Sequence, residues 1–232
     1  MGGLGGARSP PIRMTIHGVD VAIAADGVTV KAATPLTAAS SALVGGGVAV
    51  VEAILNVHVP KNFACAQSTA ALEAFACRHG VTGPYVGLLT AAATDKAEVA
   101  IARHGPLVAL AVATVGLSNR ITAGVSPAAG AAWPSTINTI VIVDGDAEPA
   151  ALINALMTVT EVKTLALVEA GVKGADGHLA TGTSTDAVVV AATGRGRRER
   201  FGGPISDLGW VVAQAAGPPL RRGIARWLEE HP

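Results

Sequence analysis

Asp20-Val21-Ala22-Ile23-Ala24-Ala25-Asp26-Gly27-Val28-Thr29-Val30 is the stretch that decides the fold class. Two short runs containing β-branched residues flank an Asp-Gly pair, which predicts a hairpin with its turn at Asp26-Gly27. A tight hairpin can only join antiparallel strands. Ile12 to Gly18 precedes it as another short strand. After the interruption at Gly45-Gly46-Gly47, Val48 to Val59 reads as a strand running into a polar motif around His58. Ser68 to His79 reads as a helix, with Ser68 as its cap, Leu72, Phe75 and Ala76 as its apolar face and Gly80 as its stop. Val86 to Ala91, Ala97 to Ala102 and Leu107 to Val115 read as strands.

Helical spacing dominates only later. From Pro149 to Glu169, Leu152, Ala155, Leu156, Val159, Val162 and Ala166 form one stripe, with proline where a helix begins. Asn154, Thr158 and Glu161 fall on one line of that helix, and Gly171 and Gly174 end it. Val188 to Ala192 is the last strand. A final helical region, Ser206 to Glu230, is expected to break at Gly217-Pro218-Pro219. Strands joined by short turns, followed by long helices, predict an α+β fold: a mixed or antiparallel sheet layered with helices, sandwich-like, in a single domain. That domain is expected over 12–232, after a flexible N-terminal arm over 1–11.

Composition excludes several function classes. The chain has 232 residues, 50% of them hydrophobic, 15% charged and 3% aromatic, with zero net charge. Zero net charge gives no general attraction to nucleic acid, and the scarcity of aromatics removes base-stacking platforms. Ala32 to Val51 and Ile121 to Val143 carry no charge, yet Gly, Pro, Ser and Thr break them. They read as core segments and loops and not as membrane spans, and they suit an oligomer interface as well as a core. Cys65 and Cys77 are too few for a disulfide framework and fit a reducing cytoplasm, and no secretory h-region precedes them. The glycine-rich stretches Gly2 to Gly6 and Gly45 to Gly47 lack the context of a phosphate-binding loop.

Polar residues recur beside apolar strands. Ala180-Thr181-Gly182-Thr183-Ser184-Thr185-Asp186 runs straight into Ala187-Val188-Val189-Val190-Ala191-Ala192. Asn56-Val57-His58-Val59-Pro60, Gly116-Leu117-Ser118-Asn119 and Ser135-Thr136-Ile137-Asn138-Thr139 have the same character. Hydroxyls and amides packed against buried strands need partners, from the backbone or from a ligand.

In series with Val86-Gly87-Leu88-Leu89-Thr90-Ala91 and Gly203-Pro204…Leu208-Gly209, these motifs resemble the adenosylcobinamide amidohydrolase family, of the CbiZ type. The likeness runs from about Asn56 to Ala213. It implies hydrolysis of the amide that joins the aminopropanol arm to the corrin ring, giving adenosylcobyric acid and 1-amino-2-propanol in corrinoid salvage. The corrinoid would be the small-molecule partner. No resident cofactor or metal is implied, since the cobalt belongs to the substrate.

A ring fringed with carboxamides suits neutral donors and acceptors. Asn56, Thr90, Ser118, Asn119, Asn138, Thr139, Thr181, Thr183, Ser184 and Thr185 are therefore the candidate substrate-binding residues. Amide hydrolysis also needs a base and oxyanion donors. His58, the side-chain type that changes charge near neutrality, and Glu161 are the candidate bases for attack by water, and Asp186 is placed to orient a base. A Thr or Ser hydroxyl of the 181–185 loop is the covalent alternative. Each has a plainer role: a hydrogen-bonded histidine, a solvated helix glutamate, an aspartate capping its own loop. Arg195, Arg197, Arg198 and Arg200 form a basic loop that suits either solvent or a phosphate on the substrate arm. Two other function classes stay open: a corrinoid-binding module without chemistry, and an amidase or acyltransferase of another substrate class.

Overall fold

The computed structural model describes residues 16–128 and 135–232. The arm expected over 1–11 lies outside them, as does most of the strand expected over Ile12 to Gly18, whose described end is a turn. The strands are β1 (Val19–Ala24), β2 (Gly27–Ser40), β3 (Gly47–His58), β4 (Tyr85–Thr90), β5 (Glu98–His104), β6 (Leu107–Val115), β7 (Arg120–Ile121), β8 (Ile137–Asp144), β9 (Asp146–Ala147), β10 (Gly182–Thr183), β11 (Ala187–Ala192) and β12 (Arg198–Glu199). The helices are α1 (Ser68–Arg78), α2 (Pro149–Glu169) and α3 (Asp207–Glu230).

Eight strands form one mixed sheet in the order β4-β3-β2-β11-β8-β6-β5, with β1 paired to β2. The pairs β3/β4 and β8/β11 are parallel, each joined through a helix, and the others are antiparallel. The sheet folds over on itself. β2 and β3 slip register between Lys31 and Leu36, beside Pro35, a residue that cannot donate to a ladder. Beyond that irregularity the first half of β2 packs with β1, β3 and β4 face to face on β6, β8 and β11. Val28, Val30, Ile54, Val86 and Leu88 meet Leu110, Val112, Ile140, Ile142 and Val189 between the two layers. Because side chains alternate along a strand, the opposite faces of the same strands meet helices. Ala53, Leu55 and Val57 pack on Leu72, Phe75 and Ala76 of α1. Ala109, Ala111, Val141, Val143, Val188 and Val190 pack beneath α2 and α3. The result is four layers, helix–strand–strand–helix.

Three local expectations are corrected. The hairpin turn is Ala25-Asp26, since Ala24 pairs with Gly27. Gly27 is small because a Cβ there would lie 2.6 Å from the Phe75 ring, not because the turn needs it. Ser68 is inside α1 and not its cap; its hydroxyl donates back to the Cys65 carbonyl at 2.7 Å, and Gln67 precedes it without a capping side chain. α3 runs unbroken through Pro218 and Pro219. Tertiary contacts hold its second half: Leu220 and Ile224 are fully buried, Arg222 donates to Glu98 at 2.8 Å and Arg221 to Glu169 at 2.8 Å. Burial of two such aliphatic side chains, at about 1.5–3 kcal/mol each, is of the size of the roughly 3 kcal/mol cost of an interior proline. Pro149 to Glu169, by contrast, is helical over its whole expected length, with the proline in its first turn.

Candidate active site

Strand ends converge at one end of the double layer. β3 and β4 finish there, β6 finishes there, and the antiparallel β8 and the parallel β11 begin there. The sequence separations are large, so only the topology brings the polar motifs together. Asn56 of β3 donates through Nδ2 to Thr114 Oγ1 of β6 at 3.0 Å. Asn138 of β8 donates through Nδ2 to Asn56 Oδ1 at 2.8 Å and to the Leu89 carbonyl of β4 at 2.9 Å. Both asparagines are 1% exposed. They bond each other across the inner seam, where an unpaired amide would cost about 1–3 kcal/mol.

The hydroxyl loop is organised by Asp186. Its carboxylate accepts from Thr183 N (3.0 Å), Thr183 Oγ1 (2.5 Å) and Ile137 N (3.0 Å), and from the ammonium of Lys163, which reaches in from α2. Lys163 and Asp186 are buried, with side chains 7% and 10% exposed. Gly182 lets the two meet: a Cβ there would sit 2.4 Å from Asp186 Oδ2 and 2.7 Å from Lys163 Nζ. One carboxylate thus ties together α2, the 182–186 turn and the first residue of β8. Thr136 Oγ1 donates to the Thr185 carbonyl at 2.7 Å, and Thr185 Oγ1 donates to the Ser135 carbonyl at 3.3 Å. Asn119 Nδ2 donates to Ser184 Oγ at 2.6 Å, and the Ser118 N–H to Ser135 Oγ at 2.9 Å.

Two hollows open on this end. The larger, about 400 Å³, is bordered by Leu43, Val59, Phe63 and Leu88, with Asn138, Thr185 and Asp186 on its polar side. The smaller, about 180 Å³, lies between Ala92, Gly116, Ser118 and Ser135 and the end of α3 at Trp227. His58 is exposed at the end of β3, two residues beyond Asn56 and so on the same face of the strand. Its Nδ1 lies 3.0 Å from the carbonyl of Ala92, which lines the smaller hollow. A carbonyl only accepts, so Nδ1 carries the proton, and in the neutral ring Nε2 keeps its lone pair.

Not every candidate residue reaches this place. Thr139 neighbours Asn138 on a strand, so it points to the opposite face, fully buried in the layer beneath the helices. Glu161 is exposed on α2. Lys163, two residues on and about 200° round the helix, is the one that points inward. Of the residues aligned with Glu161, Asn154 is exposed and Thr158 is buried against the Gly202 carbonyl at 3.1 Å. Thr181 Oγ1 accepts from Ala123 N at 2.9 Å, outside the hollows, and Thr90 Oγ1 accepts from Ala92 N at 3.0 Å. Cys65 and Cys77 are free and exposed. The basic loop is spent on carboxylates: Arg195 on Asp144 at 2.7 Å, Arg197 on Glu199 and Asp207. Burial pushes the Asp144 carboxyl up, but hydrogen bonds from Arg195 and Thr193 outweigh it and hold the group below the ordinary range. Sequence reasoning missed Lys163 and Thr114 as parts of the site. A lysine on the inner line of an otherwise apolar helix stripe was the available signal for the first.

A double strand layer covered on both sides by helices, with a polar cluster and two hollows at one end, defines the class of this protein as a four-layer sandwich. The family model described as adenosylcobinamide amidohydrolase matches residues 13–232, and the chain belongs to that family. An adenosylcobinamide amidohydrolase of Methanosarcina mazei is 33% identical over 147 residues, which are 63% of this chain and 64% of that relative. The match thus spans just under two thirds of the relative's length. A crystal structure of a Pyrococcus horikoshii OT3 protein is 12% identical, with a TM-score of 0.52 over 95% of this chain and 89% of that one, a likeness of fold. A Burkholderia sp. β-aminopeptidase is 12% identical with a TM-score of 0.48, over 89% and 79% of the two chains.

Proposed function

We propose that the protein hydrolyses the amide between the aminopropanol arm and the corrin ring of adenosylcobinamide, releasing adenosylcobyric acid and 1-amino-2-propanol. Membership of the family carries this reading, and the site's chemistry supports it. A hollow of about 400 Å³ is at the low end of small-molecule pockets, about 300–1,000 Å³. It suits one arm of the substrate, with the macrocycle lying across the open end. The wall is apolar with a few neutral or fixed polar groups, as a carboxamide-fringed ligand requires.

In the mechanism, His58 Nε2 takes a proton from water as the water attacks the amide carbon, and returns it to the departing amine. The Ala92 carbonyl fixes the tautomer. Asp186 acts as a positioning residue, holding the turn that borders the larger hollow and leaving the base role to His58. Asn56 and Asn138 fasten the two strand layers beneath the site, and only Asn138 borders a hollow. The reaction would serve corrinoid salvage in the cytoplasm.

The test follows 1-amino-2-propanol released from adenosylcobinamide by the purified chain. Release by the wild type and a loss of at least about 100-fold in His58→Gln, at the lower end of general-base contributions, with unchanged thermal unfolding, are expected. Tight corrinoid binding without release would make the protein a binding module. Normal turnover in His58→Gln would remove the histidine from the chemistry.

A further inference from the structure

The smaller hollow differs from the larger in its charge. Lys61, Lys96 and Arg226 stand on its wall, with Glu230 as the single carboxylate. Two of these cations are paired: Lys96 Nζ donates to Glu230 at 2.6 Å, and Arg226 donates to Glu98. Glu98 is shared, because Arg222 also donates to it at 2.8 Å, so it balances one arginine and not both. Arg120 lies over the ring of Trp227, another residue of the wall, at 5.3 Å. Lys61, Lys96, Arg120, Arg222 and Arg226 thus share this corner with Glu98 and Glu230, in a chain whose net charge is zero. Pairing also leaves donors open. An ammonium has three N–H groups and a guanidinium five, and one carboxylate oxygen uses one of them. Lys61 is exposed, and among the described residues it has no ion-pair partner.

Neutral donors complete the wall. Ser135 is 7% exposed, and its hydroxyl accepts from the Ser118 N–H at 2.9 Å. Its own proton has no acceptor among the described residues, and the Ser118 hydroxyl is exposed at the same hollow. Open cations and hydroxyls, with the one carboxylate already occupied, are the chemistry that receives an anion. The space is about 180 Å³. That is the liquid volume of about six waters, too little for a drug-sized ligand and enough for the tip of one substrate arm. Ala92 belongs to this wall, and its carbonyl holds His58, so the tip of the arm would lie beside the proposed base.

We infer that the smaller hollow receives a phosphate monoester carried on the hydroxyl of the aminopropanol arm, so that the phosphorylated corrinoid is the better substrate. The corrinoid named here rests on the reaction proposed above; binding of the anion does not. Water adds to the amide carbon and the C–N bond breaks. The proton passes through His58 to the amine, which leaves as 1-amino-2-propanol O-phosphate, and the P–O bond is untouched. A monoester carries about −1.5 to −2 charges at neutral pH and three acceptor oxygens, which Lys61, Lys96 and the two serine hydroxyls can meet. A diester carries about one charge, so the excess of cations favours the monoester.

Two measurements on the full chain test this. The first is calorimetric titration at low salt with 1-amino-2-propanol O-phosphate, with inorganic phosphate and with 1-amino-2-propanol. The phosphorylated amine should bind at least about tenfold tighter than either of the others, and added salt should weaken it. Lys61→Met, at an exposed position where folding tolerates change, should weaken that binding at least about fivefold, the worth of one charge pair in water. Lys61→Arg should restore it. The second is kcat/KM for adenosylcobinamide and for its phosphate. The phosphate should be preferred at least about tenfold by the wild type, and the preference should fall about fivefold in Lys61→Met. Inorganic phosphate binding as tightly as the phosphorylated amine would make the hollow a site for free phosphate and overturn the inference. So would binding indifferent to Lys61, or a preference for the unphosphorylated corrinoid. Lys61-dependent binding without turnover of either corrinoid would refute the reaction proposed above, and the corrinoid as bearer of the phosphate with it. Turnover without Lys61-dependent binding would refute the role of the hollow alone.

Discussion

Breaking the Lys163–Asp186 pair should have unequal consequences for its two members. Asp186 has four donors around it, and only one is Lys163. Among the described residues Lys163 has one hydrogen-bond acceptor, Asp186, in a side chain only 7% exposed. Lys163→Met therefore removes one charge-assisted bond and leaves the carboxylate three donors, at a cost of about 1.5–3 kcal/mol. Asp186→Asn strands a buried ammonium, at about 3–5 kcal/mol. In a domain of this size each kcal/mol moves Tm by about 2–4 °C. The losses are then about 3–12 °C for Lys163→Met and about 6–20 °C for Asp186→Asn. In the double variant no buried charge is left without a partner. It should be no less stable than Asp186→Asn alone, with a coupling of about 2–3 kcal/mol, the size seen between residues in direct contact. Calorimetry on the four proteins closes the cycle. Equal losses in the two single variants, or a double variant whose loss is their sum, would refute the charge argument and reduce the pair to an ordinary packing contact.

Gly182→Ala should lower Tm by several degrees and raise KM, because its methyl group would sit 2.4 Å from Asp186 Oδ2; thermal melts and steady-state kinetics read both, and a silent substitution would show that the turn can shift freely. Asn56→Leu should cost about 1–3 kcal/mol, since it leaves Asn138 and Thr114 short of a buried partner; urea unfolding measures it. Acid stability should depend on Arg195. Asp144 is held below its reference value of 3.8 by Arg195 and Thr193 against the opposing effect of burial, so its contribution is complete above that value and is lost as pH falls through the lower folded value. Arg195→Ala should therefore be less stable than wild type at neutral pH, and the gap should narrow as pH falls below 3.8, leaving the part that Arg195 contributes through the His17 carbonyl at 2.8 Å; a gap that stays constant in urea midpoints would rule this out.

Local patterns were legible wherever one period ran long enough. α2 kept its expected bounds because six apolar residues at helical spacing all face one core. β6 kept its bounds because it is apolar but for Thr114 and is buried on both faces. The antiparallel hairpin and the α+β class followed from short turns. The doubling of the sheet was not legible. It depends on a register slip between Lys31 and Leu36, and nothing in the alternation of either strand marks where four residues oppose one. The α3 proline pair was misleading because local propensity favours a break and tertiary burial of Leu220 and Ile224 overrides it. The exposure of Glu161 and the burial of Lys163 were open to a helical wheel. They turn on which face meets the sheet, and the apolar outer residues Ile153, Met157 and Leu165 blurred that face.

The polar residues beside the strands do two jobs that look alike in a sequence. Asn56 and Asn138 share the composition of a ligand-binding surface, yet their amides are largely committed to each other, to Thr114 and to Leu89. A substrate carboxamide could recruit them only by breaking a buried pair, and would regain little for that cost. On the proposed function, recognition falls on groups whose capacity is still open at the ends of the strands: His58 Nε2 and the exposed Ser118 hydroxyl. Removing the asparagines should thus lower stability more than it changes the ranking of corrinoid substrates. Changes at His58 and Ser118 should do the reverse.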